Sequence, residues 1–175
     1  MNGIHIANTT KQDWETVLQL FEYAIKLQGQ NNYKVWDSID LKGLESDIQH
    51  NLQYKMIVDD TIICIFSVQF SDPHIWRGRD RNDAIYLHRI VVNPLFKGHK
   101  LFHKILIWAT EMARQKDLDF IRMDTWADNQ KIIDYYKTFG FEFIENYKTP
   151  NASELPLQNR NLNVALLEKK VSGGT

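Results

Sequence analysis

A short basic stretch near the middle of the chain has the residue types of an anion site. It contains Gly98 and five basic side chains, namely Lys97, His99, Lys100, His103 and Lys104. No Asp or Glu occurs from residue 84 to residue 110. Because a helix N-terminus carries partial positive charge, lysines beside it are unfavourable unless an anion binds there. The residues therefore predict either a site for an anion such as phosphate or a solvated basic turn whose amides face water.

A strand and a helix must position this basic loop. Residues 85–92 are rich in β-branched and aromatic types and stop at Asn93-Pro94, which predicts a strand. The run after the loop repeats apolar residues at helical spacing, which predicts an amphipathic helix. Its apolar positions are Leu101, Phe102, Ile105, Leu106, Ala109, Met112 and Ala113. No Ser, Thr, Asp or Asn immediately precedes this helix, so its first amides have no side-chain cap.

The composition is typical of a soluble globular protein. The chain has 175 residues, of which 43% are hydrophobic and 25% are charged, and this length predicts one domain. The net charge of -1 gives no general attraction to nucleic acid or to an anionic membrane. With no signal-peptide pattern and no apolar run near the membrane-spanning length, the prediction is a cytoplasmic protein without membrane attachment.

Hydrophobic periodicity predicts the order β-α-α-β-β-β-α-β-α-β-β. The strands are expected at residues 3–8, 54–58, 62–70, 85–92, 119–126, 141–147 and 162–169. Capping-box spacing of Thr10 and Asp13 opens the first helix, and Asp40 opens the second. The long crossover between the strands at 85–92 and 119–126 predicts a parallel pair. Residues 71–83 alternate basic and acidic types and are interpreted as a solvated polar loop rather than a nucleic-acid patch.

Two motifs lie between residues 86 and 141. One is the strand ending at Pro94, followed by Lys97-Gly98 and a helix; the other comprises Asn129, Tyr136, Gly140 and Phe141. With the element order, they resemble the GNAT superfamily of acetyl-CoA-dependent N-acetyltransferases. Lys100 and Phe102 stand where that family usually has small residues. The resemblance implies an α/β fold over residues 1–175, with a mixed central sheet of about seven strands and helices on both faces.

The resemblance also implies acetyl-CoA as the acyl donor. It assigns the pantetheine arm and the thioester carbonyl to the main chain of Ile90, Val91 and Val92. It assigns the pyrophosphate to the loop residues Lys97, Gly98, His99, Lys100, Leu101 and Phe102. Small residues let a pyrophosphate approach backbone amides closely, although a larger side chain that points away leaves the amide available. Asn129 is expected to bond the cofactor, with helix N-cap as its alternative role.

Two side chains are the candidates for proton transfer. Tyr136 matches the family's general acid, and the alternative is that it packs on its helix with Ile132 and Phe139. Tyr135 is the fallback acid and is expected to point elsewhere on that helix.

His88 is the candidate base, because an imidazole with an ordinary pKa near 6.5 can deprotonate an ammonium. The interpretation places His88 on the same strand face as Ile90 and Val92. A structural histidine, with a water chain as the base, is the alternative. Asp83 and Asp124 are poorer candidates for the base.

The resulting prediction is direct acetyl transfer to a primary amine of a small molecule or peptide. No metal is expected, and no acyl-enzyme, because the only cysteine, Cys64, lies in an apolar run. The alternative is a degenerate GNAT-fold module that binds acyl-CoA or a partner without catalysis. Acceptor choice is expected at residues 28–40 and 148–160. Tyr33, Trp36 and Trp126 form either an aromatic wall for an apolar amine or core packing. The resemblance also allows a homodimer.

Overall fold

A computed structural model describes residues 3–30, 39–155 and 157–171 of the chain. Five helices are present among these residues: α1 (Trp14–Gln30), α2 (Leu41–Gln49), α3 (Pro73–Trp76), α4 (Leu101–Gln115) and α5 (Gln130–Lys137). The described strands are β1 (His5–Asn8), β2 (Gln53–Val58), β3 (Thr61–Gln69), β4 (Ala84–Val92), β5 (Phe120–Trp126), β6 (Glu142–Lys148) and β7 (Asn163–Lys170). The predicted order of long elements is confirmed.

The seven strands form one sheet in the order β1-β2-β3-β4-β5-β7-β6. β4 pairs with β5 in parallel, as the crossover predicted, through Ala84–Phe120, Ile85–Ile121 and Tyr86–Arg122. The β1–β2, β2–β3, β5–β7 and β6–β7 pairs are antiparallel. The predicted mixed α/β sheet is therefore confirmed.

The chain divides into two compact units, one of which comprises Met1–Val68 and His88–Leu101. Its core packs the apolar face of α1 and α2 onto the sheet, with Val17, Phe21, Leu44, Ile65 and Val91 buried together. The two-residue turn between β2 and β3 is Asp59-Asp60, and both residues have left-handed φ values of 44° and 60°. Such φ values match the twist of a tight hairpin, so this turn fixes the β2–β3 register.

The second unit comprises Gln69–Leu87 and Phe102–Thr175. Trp76, Tyr86 and Leu166 are fully buried in its core. The prediction that residues 71–83 form a solvated polar loop was wrong in part. Proline opens the short helix α3, where its missing N–H costs nothing, and Ile75 and Trp76 of that helix are buried. The charged residues that follow form a single 3-10 turn, Arg77–Arg79.

None of the helices that the structure describes combines the length and the apolar character that a crossing of the bilayer requires.

Candidate active site

The basic loop after β4 contains two residues with left-handed backbone. Asn93 caps the 3-10 turn Pro94–Phe96, since its Oδ1 accepts from the Leu95 amide at 3.2 Å. Gly98 has a φ of 88° and Lys100 a φ of 54°. All four residues from Lys97 to Lys100 are exposed. The loop therefore presents its backbone and its lysines to solvent, as an anion site requires.

The first turn of α4 continues this loop. No acidic residue lies in that turn, and His103 and Lys104 are exposed. The first four amides of an α-helix have no acceptor within the helix, and their dipoles favour an anion. This end of α4 can therefore accept negative charge from a phosphate.

Phe102 directs its side chain into an aromatic cluster and is only 6% exposed. Its ring centroid lies 4.9 Å from Tyr136, 5.0 Å from Phe139 and 6.1 Å from both Tyr135 and Phe141. These separations and tilts are those of favourable aromatic pairs. The large side chain at this position is thus accommodated by packing.

Tyr136 is a half-buried member of this aromatic cluster, which we define as Phe102, Tyr135, Tyr136, Phe139 and Phe141. The expectation that Tyr135 points elsewhere was wrong, because its ring lies 5.4 Å from Tyr136 and 5.0 Å from Phe139. Partial burial raises the pKa of the Tyr135 phenol above its ordinary value. Both tyrosines therefore belong to the same cluster, in the last turn of α5.

Asn129 occupies the N-cap of α5. Its Oδ1 accepts a hydrogen bond from the Ile132 amide at 3.2 Å. The capping role, one of the two predicted for this residue, is therefore present. Its side-chain NH₂ group is not used by that bond, so the cap and a cofactor contact are chemically compatible.

Gly140 follows the turn after α5 with a φ of 83°. A Cβ at this position would lie 2.6 Å from Lys169 Nζ. The backbone conformation favours glycine, whereas the contacting atom is the end of a flexible lysine side chain; the φ therefore explains this part of the Asn129–Phe141 motif.

The candidate acyl-CoA strand is irregular. Ile90 is partly buried, Val91 is buried and Val92 is exposed, but Arg89 before them has a left-handed φ of 50°. The interpretation that His88 shares a face with Ile90 and Val92 assumed strict alternation along the strand. That alternation does not hold across Arg89, so the basis for this placement of His88 was wrong.

Of the remaining candidate site residues, Asp83 has a structural role, and the roles of the others stay predictions. Asp83 Oδ1 accepts from Arg122 Nη1 at 2.7 Å, which makes it part of a partly buried ion pair. His88, Asp124 and Trp126 are half-buried. Tyr33 and Trp36, the other members of the expected aromatic wall, lie outside the described residues.

Loop 148–160 is held by its own polar side chains. Thr149 is buried, and its hydroxyl donates to the Asn159 carbonyl at 2.7 Å and accepts from the Leu162 amide at 2.8 Å. Arg160 Nε donates to the Leu155 carbonyl at 2.8 Å. The described part of this loop thus has a defined course, which its polar sequence alone did not indicate.

The sequence was compared with models of known families. Residues 33–141 match the model described as the acetyltransferase (GNAT) family, which is more than half of the chain. The chain belongs to the GNAT acetyltransferase family. The family assignment by resemblance is therefore confirmed.

A curated relative of this GNAT protein is the uncharacterized N-acetyltransferase YesJ of Bacillus subtilis. The two are 32% identical over 73 residues, which are 42% of this chain and 41% of YesJ. The aligned part thus spans about two fifths of the relative's length.

Solved GNAT structures share the fold over nearly the whole chain. A GNAT acetyltransferase from Listeria monocytogenes superposes with a TM-score of 0.78 at 18% identity, covering 95% of this chain and 94% of its own. The yncA protein of Salmonella typhimurium, solved with its cofactor acetyl-CoA, has a TM-score of 0.66 at 13% identity and covers 99% and 97%. At these identities the likeness establishes the fold.

Proposed function

We propose that the protein is an acetyl-CoA-dependent N-acetyltransferase that moves the acetyl group directly to a primary amine of a small molecule or peptide. The observation that carries the proposal is the exposed basic loop at residues 97–100, whose left-handed backbone leads into an α4 first turn without acidic residues. The burial of the Phe102 side chain also supports the proposal, because a side chain that packs away from the loop leaves the loop amides available to a phosphate.

The donor would be held mainly by backbone groups. Ile90, Val91 and Val92 would bond the amide-like pantetheine arm as an added strand and contact the thioester carbonyl. The pyrophosphate would lie on the amides of Lys97, Gly98, His99, Lys100, Leu101 and Phe102, with the lysine side chains as further cationic partners. The side-chain NH₂ of Asn129 would donate to the cofactor.

In the transfer step, the amine nitrogen attacks the thioester carbonyl carbon, and the carbon–sulfur bond of acetyl-CoA breaks. The CoA thiolate must then receive a proton, and Tyr136 is the proposed donor. A phenol with an ordinary pKa near 10 is protonated at neutral pH and can supply that proton. Before the attack, one ammonium proton of the acceptor would pass to His88, directly or through water, and from there to solvent. The nitrogen loses a second proton as the amide forms, and the Tyr136 phenolate would take it up, which restores the phenol.

Direct transfer is supported by the state of Cys64. This cysteine is fully buried in β3, and burial raises the pKa of its thiol to about 12. A thiol that is neither ionised nor accessible is a poor nucleophile, so a Cys64 acyl-enzyme is not part of the proposal.

Titration calorimetry with acetyl-CoA and with CoA tests the donor assignment. Binding of both is expected, whereas no detectable heat at millimolar ligand would overturn the enzyme proposal. Release of free thiol would then be followed with phenethylamine, spermidine, lysine and a peptide with a free α-amino group. Binding without thiol release for any acceptor would favour the degenerate module, which the departures at Lys100 and Phe102 already raise as the second candidate.

Tyr136→Phe tests the acid. We expect turnover to fall roughly a hundredfold or more, with little change in acetyl-CoA affinity, because only the proton donor is lost. Tyr135→Phe is the matched control, since it removes the neighbouring hydroxyl from the same aromatic cluster. Equal turnover of Tyr136→Phe and the parent protein would remove Tyr136 as the acid, and a loss confined to Tyr135→Phe would move the role there.

A further inference from the structure

Arg89 has a backbone conformation that strands rarely contain. Its φ of 50° lies in the left-handed region, in the middle of β4. Among the described residues, no other β-strand position has a positive φ. A residue with a Cβ is disfavoured there because the Cβ crowds the following carbonyl. Such a conformation persists only where the surroundings hold it, and it often marks a functional position.

Two carboxylates of the α2 region hold the Arg89 side chain. Nη2 contacts Asp40 Oδ2 at 3.0 Å, and Nη1 donates to Asp47 Oδ2. Asp40 is also the N-cap of α2, since its Oδ1 accepts from the Gly43 amide at 3.0 Å. The carboxyl of Asp47 is largely buried, with 7% of its side chain exposed. The guanidinium therefore bridges the N-cap of α2 and Asp47 further along the same helix.

Gly43 leaves the room that this arrangement needs. A Cβ at residue 43 would lie 2.1 Å from Asp40 Oδ2 and 2.7 Å from Arg89 Nη2. Glycine is unfavourable inside a helix, so its presence in α2 requires a reason. The close approach of the carboxylate and the guanidinium supplies that reason. We refer to Arg89, Asp40, Asp47 and Gly43 together as the Arg89 clamp.

We propose that the Arg89 clamp holds β4 in its left-handed kink, and that Arg89 is thereby a positioning residue for acyl-CoA. The kink immediately precedes Ile90, so it sets the direction of the main-chain groups of Ile90, Val91 and Val92. Those groups hold the pantetheine arm and the thioester carbonyl in the proposed function, on which this inference rests. Arg89 acts through the backbone and does not touch the donor.

Arg89→Ala and Arg89→Gly separate the kink from the ion pairs. Both variants lose the clamp, but only glycine adopts a left-handed φ without steric conflict. By titration calorimetry with acetyl-CoA, we expect about tenfold weaker binding for Arg89→Ala and recovery to within about threefold of the parent for Arg89→Gly. A purely structural role of the ion pairs would weaken both variants equally, which would overturn the proposal.

Gly43→Ala perturbs the clamp without altering β4 itself. Alanine favours the helix, so α2 is retained while the Cβ displaces the Asp40 and Arg89 side chains. We expect acetyl-CoA binding to weaken by about the same factor as in Arg89→Ala. Unchanged affinity would overturn the proposal, and it would do so even if Arg89→Ala failed to fold.

Asp13→Asn is the matched control, because it breaks the Lys55–Asp13 ion pair on regular backbone in the same unit. Its acetyl-CoA affinity is expected to equal that of the parent. Failure of the parent protein to bind acetyl-CoA would count against the proposed function. Equal binding by the parent and Arg89→Ala would overturn the Arg89 role alone.

Discussion

Arg89 and Arg122 each lie on a β-strand and each bind two carboxylates, but they differ in side-chain burial and in backbone conformation. Arg122 Nε donates to Glu168 at 2.7 Å and Nη1 to Asp83 at 2.7 Å, with only 4% of its side chain exposed. Its backbone on β5 has no positive φ. Arg89 keeps 23% of its side chain exposed and carries the left-handed φ. The buried arginine thus has the regular backbone, and the more exposed one has the strained backbone.

The Arg122 site is saturated with partners from its own unit. Nη1 also donates to the Arg79 carbonyl at 2.8 Å and to the Tyr86 hydroxyl at 3.0 Å, and the guanidinium lies 5.0 Å from the Trp76 ring centroid. Burial alone would lower the pKa of Arg122, but its bonds to Glu168, Tyr86 and Asp83 raise it above the ordinary value. This arginine therefore stays charged and serves the fold.

Replacing the two arginines is expected to change different properties of the protein. Loss of a satisfied buried cation leaves its carboxylates unpaired and is expressed as a loss of stability. Loss of a side chain that maintains backbone strain is expressed in the groups that the backbone positions. Substitutions that are measured for both stability and acetyl-CoA affinity test this difference.

Arg122→Met should lower the free energy of unfolding by about 3 kcal/mol, since the half-buried carboxylates of Asp83 and Glu168 would lose their cation. Urea unfolding at neutral pH measures this difference. The acetyl-CoA affinity of the folded variant should stay within about twofold of that of the parent, whereas Arg89→Ala is expected to weaken binding about tenfold.

Arg81→Met is the matched control for Arg122→Met, because Arg81 is exposed and its Nε donates to the nearby Gly78 carbonyl at 3.2 Å rather than to a carboxylate. Its stability should change by less than about 0.5 kcal/mol. The comparison of the two arginines fails if Arg122→Met costs no more than this control, or if it weakens acetyl-CoA binding as Arg89→Ala does.

Asp13→Asn provides a smaller ion pair on regular backbone. Asp13 Oδ2 accepts from Lys55 Nζ at 2.6 Å and from the Thr10 amide at 2.7 Å. Burial alone would raise the pKa of Asp13, but the bonds from Lys55 and Thr10 outweigh it and lower the pKa. We expect a loss of about 1–2 kcal/mol at pH 7, combining a helix-start bond with a partly buried ion pair.

The pH dependence of Asp13 follows from the sign of that shift. A carboxyl whose folded pKa lies below its unfolded value, near 4, stabilises the protein above that value and loses the effect as pH falls. The difference between Asp13→Asn and the parent should therefore be full above about pH 4 and shrink progressively in urea titrations below it, as the pH falls through the lowered folded pKa. Glu15→Gln, an exposed acid at the start of α1, should show no such difference.

Local patterns predicted the elements whose causes are also local. The capping spacing of Thr10 and Asp13 and the Asp40 cap both formed as expected. Each is decided by residues within four positions of one another, so the sequence contains the whole cause. The strand, loop and helix that carry the proposed donor site were predictable for the same reason.

Long-range contacts were not predictable from spacing. The partners of Arg122 are Asp83 and Glu168, which lie 39 and 46 positions away, and nothing local marks the three as a group. The kink at Arg89 depends on Asp40, 49 positions earlier, and no glycine or asparagine announced a left-handed residue. A signal did exist for α3, since Asp72-Pro73 has the proline expected at the first helical position.

The reactivity of Cys64 tests whether replacing Arg89 alters β4 alone or opens the unit as a whole. Its thiol is fully buried in the same unit as Arg89, and burial raises its pKa to about 12. At pH 8 the native thiol should resist a disulfide reagent such as DTNB for as long as the unit stays closed, whereas the urea-unfolded chain should react rapidly. Arg89→Gly and Gly43→Ala should keep this protection.

Cys64→Ala is the control for the labelling and for the chemistry. It should show no labelling and should keep the turnover of the parent, because direct transfer does not use the thiol. Rapid labelling of the native parent would show that the thiol is accessible and would reopen a cysteine acyl-enzyme. Rapid labelling of Arg89→Ala alone would mean that this variant opens the unit as a whole. In that case Gly43→Ala would report on loss of the kink, since its acetyl-CoA affinity is expected to weaken while Cys64 stays protected. Arg89→Gly would report on retention of the kink.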